Sequence, residues 1–291
     1  IAVGIDGSLG KLAVYDPVAP ESETDSSRVI GGIPWDTLYE TTLPGQPRLV
    51  QSGEFDTAAP GDEIIYNYVL PVEERSNDDW LRFVLLRGEG NQADGRTWGV
   101  MATHDTGNDW TWISVGNVDG AGIDEVALVD ENRGNLNIYR VSPELGLIRF
   151  FRNSASDKEW QNVEIGQYIN DAVEEVVAVR EADYPLSNVF ALHYAGSDSF
   201  TDAFFAHNNP NPRFVFLADI GGNGDKEMVV LRKVRPELGN LPRLFVYDHG
   251  DTNADAIALR EHALDSDNGY LSGTGAAVDG DGRDEFVLIR D

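Results

Sequence analysis

Val278-Asp279-Gly280-Asp281-Gly282-Arg283-Asp284-Glu285-Phe286-Val287-Leu288-Ile289-Arg290 is an acidic, glycine-broken loop that feeds an apolar strand. Carboxylates at alternate positions, with glycines between them, let a short loop curl until several oxygens converge on one point. That is what a hard cation such as calcium requires. The run Phe286 to Ile289 is aromatic and β-branched, which predicts a buried strand rather than a helix.

The same phrase recurs along the chain. Glu54, Phe55 and Asp56 lead through Gly61, Asp62 and Glu63 into Ile64-Ile65-Tyr66. Asn117-Val118-Asp119-Gly120-Ala121-Gly122-Ile123-Asp124-Glu125 leads into Val126-Ala127-Leu128-Val129. A worn copy, Gln167 to Glu175, leads into Val176 to Val179. Asp219-Ile220-Gly221-Gly222-Asn223-Gly224-Asp225-Lys226-Glu227 leads into Met228 to Leu231. The closing residues Glu63, Glu125, Glu175, Glu227 and Glu285 are spaced by 62, 50, 52 and 58 positions. Loops at 54–63, 117–125, 167–175, 219–227 and 277–285 therefore mark a repeat protein.

A second apolar segment follows each loop and strand, at Phe83 to Leu86, Leu136 to Tyr139, Phe190 to Tyr194 and Leu244 to Tyr247. Lys11-Leu12-Ala13-Val14-Tyr15-Asp16 matches Arg243-Leu244-Phe245-Val246-Tyr247-Asp248 and joins the same series. With Val14, Val84, Ile138, Leu192 and Val246 as register marks, the steps are 70, 54, 54 and 54. The repeat is about fifty-four residues long, and its length carries about four short strands: one into the loop, one out of it, and two toward the edge. Residues 16–36 are expected to form a long surface loop. Trp112 and Trp160 stand shortly before their loops where Phe214 stands in a later copy, which predicts a core aromatic at that place.

Four strands per repeat, with turn-rich links and no amphipathic helical periodicity, predict an all-β protein, a β-propeller of stacked four-stranded blades in one domain over 1–291. Five blades are expected, the ring closing where Lys11 to Tyr15 joins the last loop and strand in one blade and leaves no free edge. Ile1 to Ile5 is the remainder of that count. If it is a true inner strand, the natural protein has six or more blades and this chain is a piece of it.

Fifty acidic against twenty-two basic residues give a net charge of -28 and a pI near 4.3. That field repels nucleic acid and anionic membrane surfaces. No apolar run approaches the roughly 20 residues of a bilayer-spanning helix, so membrane insertion is not expected. Cysteine is absent, which removes disulfides and thiolate metal sites. Only four basic residues are lysines, a composition that also suits solubility at high salt. A chain that begins at Ile1 inside a strand, without methionine, is expected to be a processed or trimmed product, and a removed leader fits secretion.

The pattern Asp/Asn, any residue, Asp, Gly, Asp, Gly, two residues, Asp/Glu and an apolar strand resembles the FG-GAP and VCBS repeats of integrin-α-type β-propellers. That resemblance implies calcium in the loop between the first two strands of a blade, and an extracellular binding or adhesion role. Carried over by position, it implies Asp279, Asp281, the Arg283 carbonyl and Glu285 in the last copy, where Ala277 stands first. It implies Asn117, Asp119 and Glu125 in another, where Ala121 stands fifth. Asp219, Asn223, Asp225 and Glu227 follow, with Gly221 in third place. Glu54, Asp56 and Glu63 form a copy with an insertion. The copy at Gln167 keeps Asp171 and Glu175 but has Ile169 in third place. No copy has the complete oxygen set for the 6 to 8 ligands that calcium takes. The glutamate kept in all five copies is expected to hydrogen-bond its own loop backbone.

Catalytic patterns are lacking. The five histidines fall at no metal-ligand spacing and are read as strand or surface residues, and Gly4 to Leu12 misses the spacing and hydroxyl of a phosphate loop. No Gly-x-Ser-x-Gly elbow occurs. The function expected is a non-catalytic, extracellular, calcium-binding recognition, adhesion or scaffold module for a protein or glycan, with Trp35, Trp80 and Trp98 as candidate sugar-stacking residues. Two alternatives are a self-assembling subunit of a surface layer or filament, and a propeller-fold polysaccharide hydrolase or lyase whose carboxylate pair is spatial rather than sequential.

Overall fold

The computed structural model describes residues 2–6, 10–17, 29–30, 33–57, 63–76, 79–89, 97–154, 159–169, 171, 173–181, 188–206, 212–232, 243–247, 260–263, 270–276 and 283–290. Among these residues the regular structure is strand, with short 3-10 turns at Val72–Glu74 and Glu131–Arg133 and no α-helix. The chain divides into two compact units, Ile1–Asn108 with Val141–Ile148, and Asp109–Arg140 with Arg149–Asp291.

Strands β1 (Ala2–Asp6), β2 (Lys11–Pro17), β3 (Val29–Ile30) and β4 (Ile33–Thr42) form a sheet in the order β1-β2-β4-β3. Strands β5 (Pro47–Gly53), β6 (Glu63–Val69), β7 (Leu81–Glu89) and β8 (Thr97–Thr106) form the next, in sequence order. Three more four-stranded sheets repeat that plan. They are β9 (Trp112–Gly116), β10 (Glu125–Asp130), β11 (Asn135–Ser142) and β12 (Gly146–Ser154); β13 (Glu159–Gly166), β14 (Glu175–Glu181), β15 (Asn188–Gly196) and β16 (Ser199–Ala206); and β17 (Pro212–Ala218), β18 (Glu227–Arg232), β19 (Arg243–Tyr247) and β20 (Arg260–Ala263). Strands β21 (Tyr270–Ala276) and β22 (Glu285–Arg290) pair as a sixth, two-stranded sheet. Within these repeats the predicted order holds: one strand into the loop, one out of it, two beyond.

Three details differ from the sequence reading. Part of the expected loop at 16–36 is strand, because β-branched Val29, Ile30 and Ile33 build a short ladder in which Ile30 faces Ile33 and Val29 faces Pro34. Both flanks of β2 are occupied, by β1 and β4, and β22 pairs with β21. The predicted latch of β2 onto the last strand is therefore not the observed pairing, because β1, the remainder of the five-blade count, fills the flank that it needed. Finally, Leu86, Tyr139, Leu192 and Tyr247 face Ile64, Val126, Val176 and Met228 across their ladders, and Tyr15 faces Ala2. The equivalents of Ile138 and Val246 are thus Leu85 and Ala191, each one residue away from the expected marks at Val84 and Leu192.

In the first unit the core gathers Leu12, Val14, Leu43, Ile64, Tyr66, Tyr68, Leu70, Val84 and Leu86. The second unit stacks its sheets through their first strands, β9 on β13, β13 on β17 and β17 on β21. Trp160 and Phe214 are buried as predicted, whereas Trp112 is only partly buried and packs against Phe214 with ring centroids 5.4 Å apart. A first strand has one edge without a strand partner in its own sheet, where backbone N–H groups need acceptors. Side chains of the preceding sheet supply them. Ser114 Oγ accepts from the Ile165 amide at 2.8 Å, Asn162 Oδ1 from Val215 at 2.7 Å, and Glu164 Oε1 from Leu217 at 3.3 Å.

Candidate functional site

Each loop leaves a first strand that ends in a small residue: Gly53, Gly116, Gly166, Ala218 or Ala276. At Gly116 the reason is close approach, since a Cβ there would meet the Glu174 carboxylate and Ile165 of the adjoining sheet. The loop then curls on its own polar groups. Asp119 Oδ1 accepts from the Ala121 amide at 2.9 Å, and Asp171 Oδ1 from Val173 at 2.9 Å. Asp219 accepts from Gly222, Asn223 and Gly224 at 2.7, 3.1 and 2.8 Å, while Asn223 Oδ1 accepts from Asp225 at 3.1 Å. Short acidic side chains thereby satisfy amides that no strand can reach.

The closing glutamate completes the turn. Glu63 Oε2 accepts from Phe55 and Asp56 at 2.7 and 3.0 Å, and Glu125 Oε2 from Val118 at 3.0 Å. Glu175 Oε2 accepts from Tyr168 and Ile169 at 2.9 and 2.8 Å, and Glu227 Oε2 from Ile220 at 2.8 Å. The hydrogen bond expected of this residue is present in four copies. Burial is the cost: it pushes the Glu63 carboxyl up to about 6 and, with the nearby Asp119 charge, that of Glu125 up to about 8.

The residue before a closing glutamate can reach back to the first position of the preceding loop. Glu174 Oε2 accepts from the Asn117 amide at 2.7 Å and its own amide donates to the Asn117 carbonyl at 3.1 Å. Asp284 repeats the exchange with Asp219, at 2.8 Å in both directions.

In three of the described sheets a basic side chain reaches the loop from the third strand, at residues that sequence spacing had not singled out. Arg140 faces Glu125 across the ladder and donates through Nε to Asp119 Oδ2 at 3.2 Å and through Nη1 to Asp198 at 2.8 Å; its Nε is also 3.9 Å from Glu125 Oε1. Arg87, next after Leu86, donates to Asp56 Oδ2 at 2.7 Å. His193, next after Leu192 and read from its sequence context as an ordinary strand residue, places Nδ1 2.9 Å from Glu175 Oε1. In the copy that closes at Glu227 the residue following Tyr247 is Asp248, outside the described residues.

No family model matches the chain, and no curated protein matches it either.

Two loops fit a cation in part. Asn117 Oδ1 is buried with no hydrogen-bond partner, as an oxygen awaiting a ligand would be, yet Arg140 already engages Asp119 Oδ2 beside it. In the copy at Asp219, Asn223 Oδ1 and Glu227 Oε1 converge on Gly221, where a Cβ would lie 3.3 and 3.4 Å from them. Asp225 is half-buried there. The copy at Glu54 directs Asp56 to Arg87, and Glu54 is half-buried. Asp279 and Asp281 of the last copy lie outside the described residues, whereas Arg283 is exposed and Glu285 half-buried.

Of the three candidate tryptophans, Trp35 and Trp98 lie on strands and Trp80 stands immediately before one. Trp35 lies on β4 opposite Pro17, its side chain outside the described residues. Trp80 donates Nε1 to the Gly107 carbonyl at 3.0 Å, with the Arg48 guanidinium 5.2 Å from its ring. Trp98 packs on the first unit's core, its ring centroid 6.1 Å from that of Tyr39.

Proposed function

We propose that the chain is a calcium-binding β-propeller of the FG-GAP/VCBS kind, with the observed sheets as its blades, acting outside the cell as a recognition, adhesion or scaffold module for a protein or glycan. The observation that carries this reading is one loop built four times on the same backbone hydrogen bonds by its closing glutamate. The loop carboxylates are engaged in holding turns rather than in a pair across a cleft, which favours a binding scaffold over a hydrolase or lyase. Calcium is assigned first to the loop from Asp219 to Glu227, whose Asn223 and Glu227 oxygens converge on Gly221. There the ion would be held by Asn223, Glu227 and the neighbouring loop oxygens, and it would stiffen the turn.

A glycan array run with the full chain, once in calcium and once in EDTA, tests the reading. A defined sugar bound only in calcium is the expected outcome. Ordered, concentration-dependent assembly without a sugar hit would move the assignment to a surface-layer or filament subunit. Turnover of a polysaccharide would overturn both.

A further inference from the structure

The copy that fits calcium worst carries a different metal chemistry. Asp171, Glu175 and His193 each offer one donor atom, and these atoms all lie within 4.8 Å of one another. They come from the loop between β13 and β14, the first residue of β14, and β15. We propose that they form a site for one divalent transition-metal ion of the zinc class.

The geometry singles out one oxygen of Glu175. The side chain is fully buried and its Oε2 is fixed by the Tyr168 and Ile169 amides, which leaves Oε1 facing His193 Nδ1 at 2.9 Å. An orienting hydrogen-bond shell of this kind is what tunes a metal-binding carboxylate. Asp171 is exposed and His193 partly so, which gives an ion a path from solvent and leaves positions for water. One imidazole nitrogen and two carboxylate oxygens suit zinc, cobalt or nickel, whereas calcium and magnesium take oxygen throughout.

An independent observation comes from the equivalent corners of two other copies. There Arg87 and Arg140 hold Asp56 and Asp119. In those two copies the third-strand place delivers a guanidinium to the loop. In the worn copy the arginine is replaced by histidine, whose Nδ1 lone pair can bind a metal once the ring proton sits on Nε2. Guanidinium has no such lone pair, so of the three described third-strand residues His193 is the one that can ligate a metal. Metal at about 2.0 to 2.2 Å from each donor draws the ligands together, and Asp171, whose Oδ1 accepts from the Val173 amide, has its second carboxylate oxygen to offer.

Isothermal titration of zinc into the EDTA-stripped full chain tests the proposal, with His193→Ala and Asp171→Asn beside the parent and with calcium and magnesium as competitors. Glu175 is left alone because its Oε2 holds the loop. The expected result is one zinc site that calcium and magnesium do not displace, weakened about tenfold or more in both variants. Cobalt should give ligand-field absorption bands in the parent that the variants lack. Equal zinc uptake by parent and variants would mean adventitious binding to the acidic surface and would overturn the proposal, as would no uptake at all. Should His193→Ala melt early, His193→Gln keeps a hydrogen-bonding group toward Glu175 and must show the same loss. Failure here leaves the calcium reading at Asp219 untouched, since the two loops share no ligand.

Discussion

Arg140 stands directly across the β10–β11 ladder from Glu125 and donates to Asp119 Oδ2 at 3.2 Å. A guanidinium on a neighbouring strand cannot diffuse away, so this loop carries its counter-charge covalently. Removing it leaves two mostly buried carboxylates facing each other. Arg140→Gln is therefore expected to lower stability by about 1–3 kcal/mol, and millimolar calcium should recover part of that loss in the variant while doing less for this loop in the parent. Thermal melts of both proteins with calcium, magnesium and EDTA check it. An unchanged melting temperature in Arg140→Gln would remove the guanidinium from the loop's energetics.

Much of this architecture was legible in the sequence, and the reason is local. The closing glutamate, its apolar strand and the following segment each depend on nearest neighbours in the chain, so their spacing revealed the repeat and the strand order. The hydrogen bond from Glu63, Glu125, Glu175 and Glu227 to their loops could be inferred because a kept acid beside a shortage of acceptors has few other duties. Counter-charge from the third strand could not. Its detection needs the ladder register, and marks at Val84 and Leu192 are one residue away from the true equivalents Leu85 and Ala191. A one-residue slip changes the face of the sheet. Two positions beyond the true marks lie Arg87, Arg140 and His193, whereas two beyond the expected ones lie Leu86, Arg140 and Tyr194, and the pattern disappears. Likewise, Asp284 and Glu174 reach back one whole repeat, a distance that no window along the chain spans.

Glycines at two loop sites should fail for different reasons. A side chain at Gly116 meets Glu174 and Ile165, so Gly116→Ala must push the adjoining sheet aside and is expected to cost about 1–3 kcal/mol. Gly122 has φ +80° with open space around its Cβ position, so Gly122→Ala bears only the left-handed backbone penalty of about 1–2 kcal/mol. Urea unfolding separates them further: Gly116→Val should be much worse than Gly116→Ala, whereas leucine or alanine at 122 should cost nearly the same.

Glu164 gives a pH signature. Burial pushes its carboxyl from 4.5 up to about 7, against the smaller opposing effects of the Leu217 amide and Lys226. The folded chain thus binds this proton more tightly than the unfolded one. Its contribution is complete below about pH 4.5 and is lost as pH rises through about 7. Glu164→Gln keeps an acceptor for Leu217 and removes the ionisation, so the fall in urea midpoint between those pH values should flatten in the variant. An identical pH profile in parent and variant would assign the slope to other groups.

In the loop from Asp219 to Glu227 the third position of the calcium pattern is Gly221. Its φ is not in the left-handed region, so a side chain is allowed there, and a Cβ would lie 3.3 Å from Asn223 Oδ1 and 3.4 Å from Glu227 Oε1. Gly221→Asp would bring a second carboxylate against Glu227. In EDTA the two like charges repel, and the variant should melt below the parent. In calcium the same carboxylate becomes a ligand, and a ion bound only by the folded state stabilises it by RT ln(1 + [L]/Kd), so the order should reverse. Magnesium, which demands shorter distances and holds its waters, should not reproduce the reversal. A variant that melts below the parent by the same margin in EDTA, magnesium and calcium would mean that the converging oxygens form a turn and nothing more, and calcium would be withdrawn from this loop.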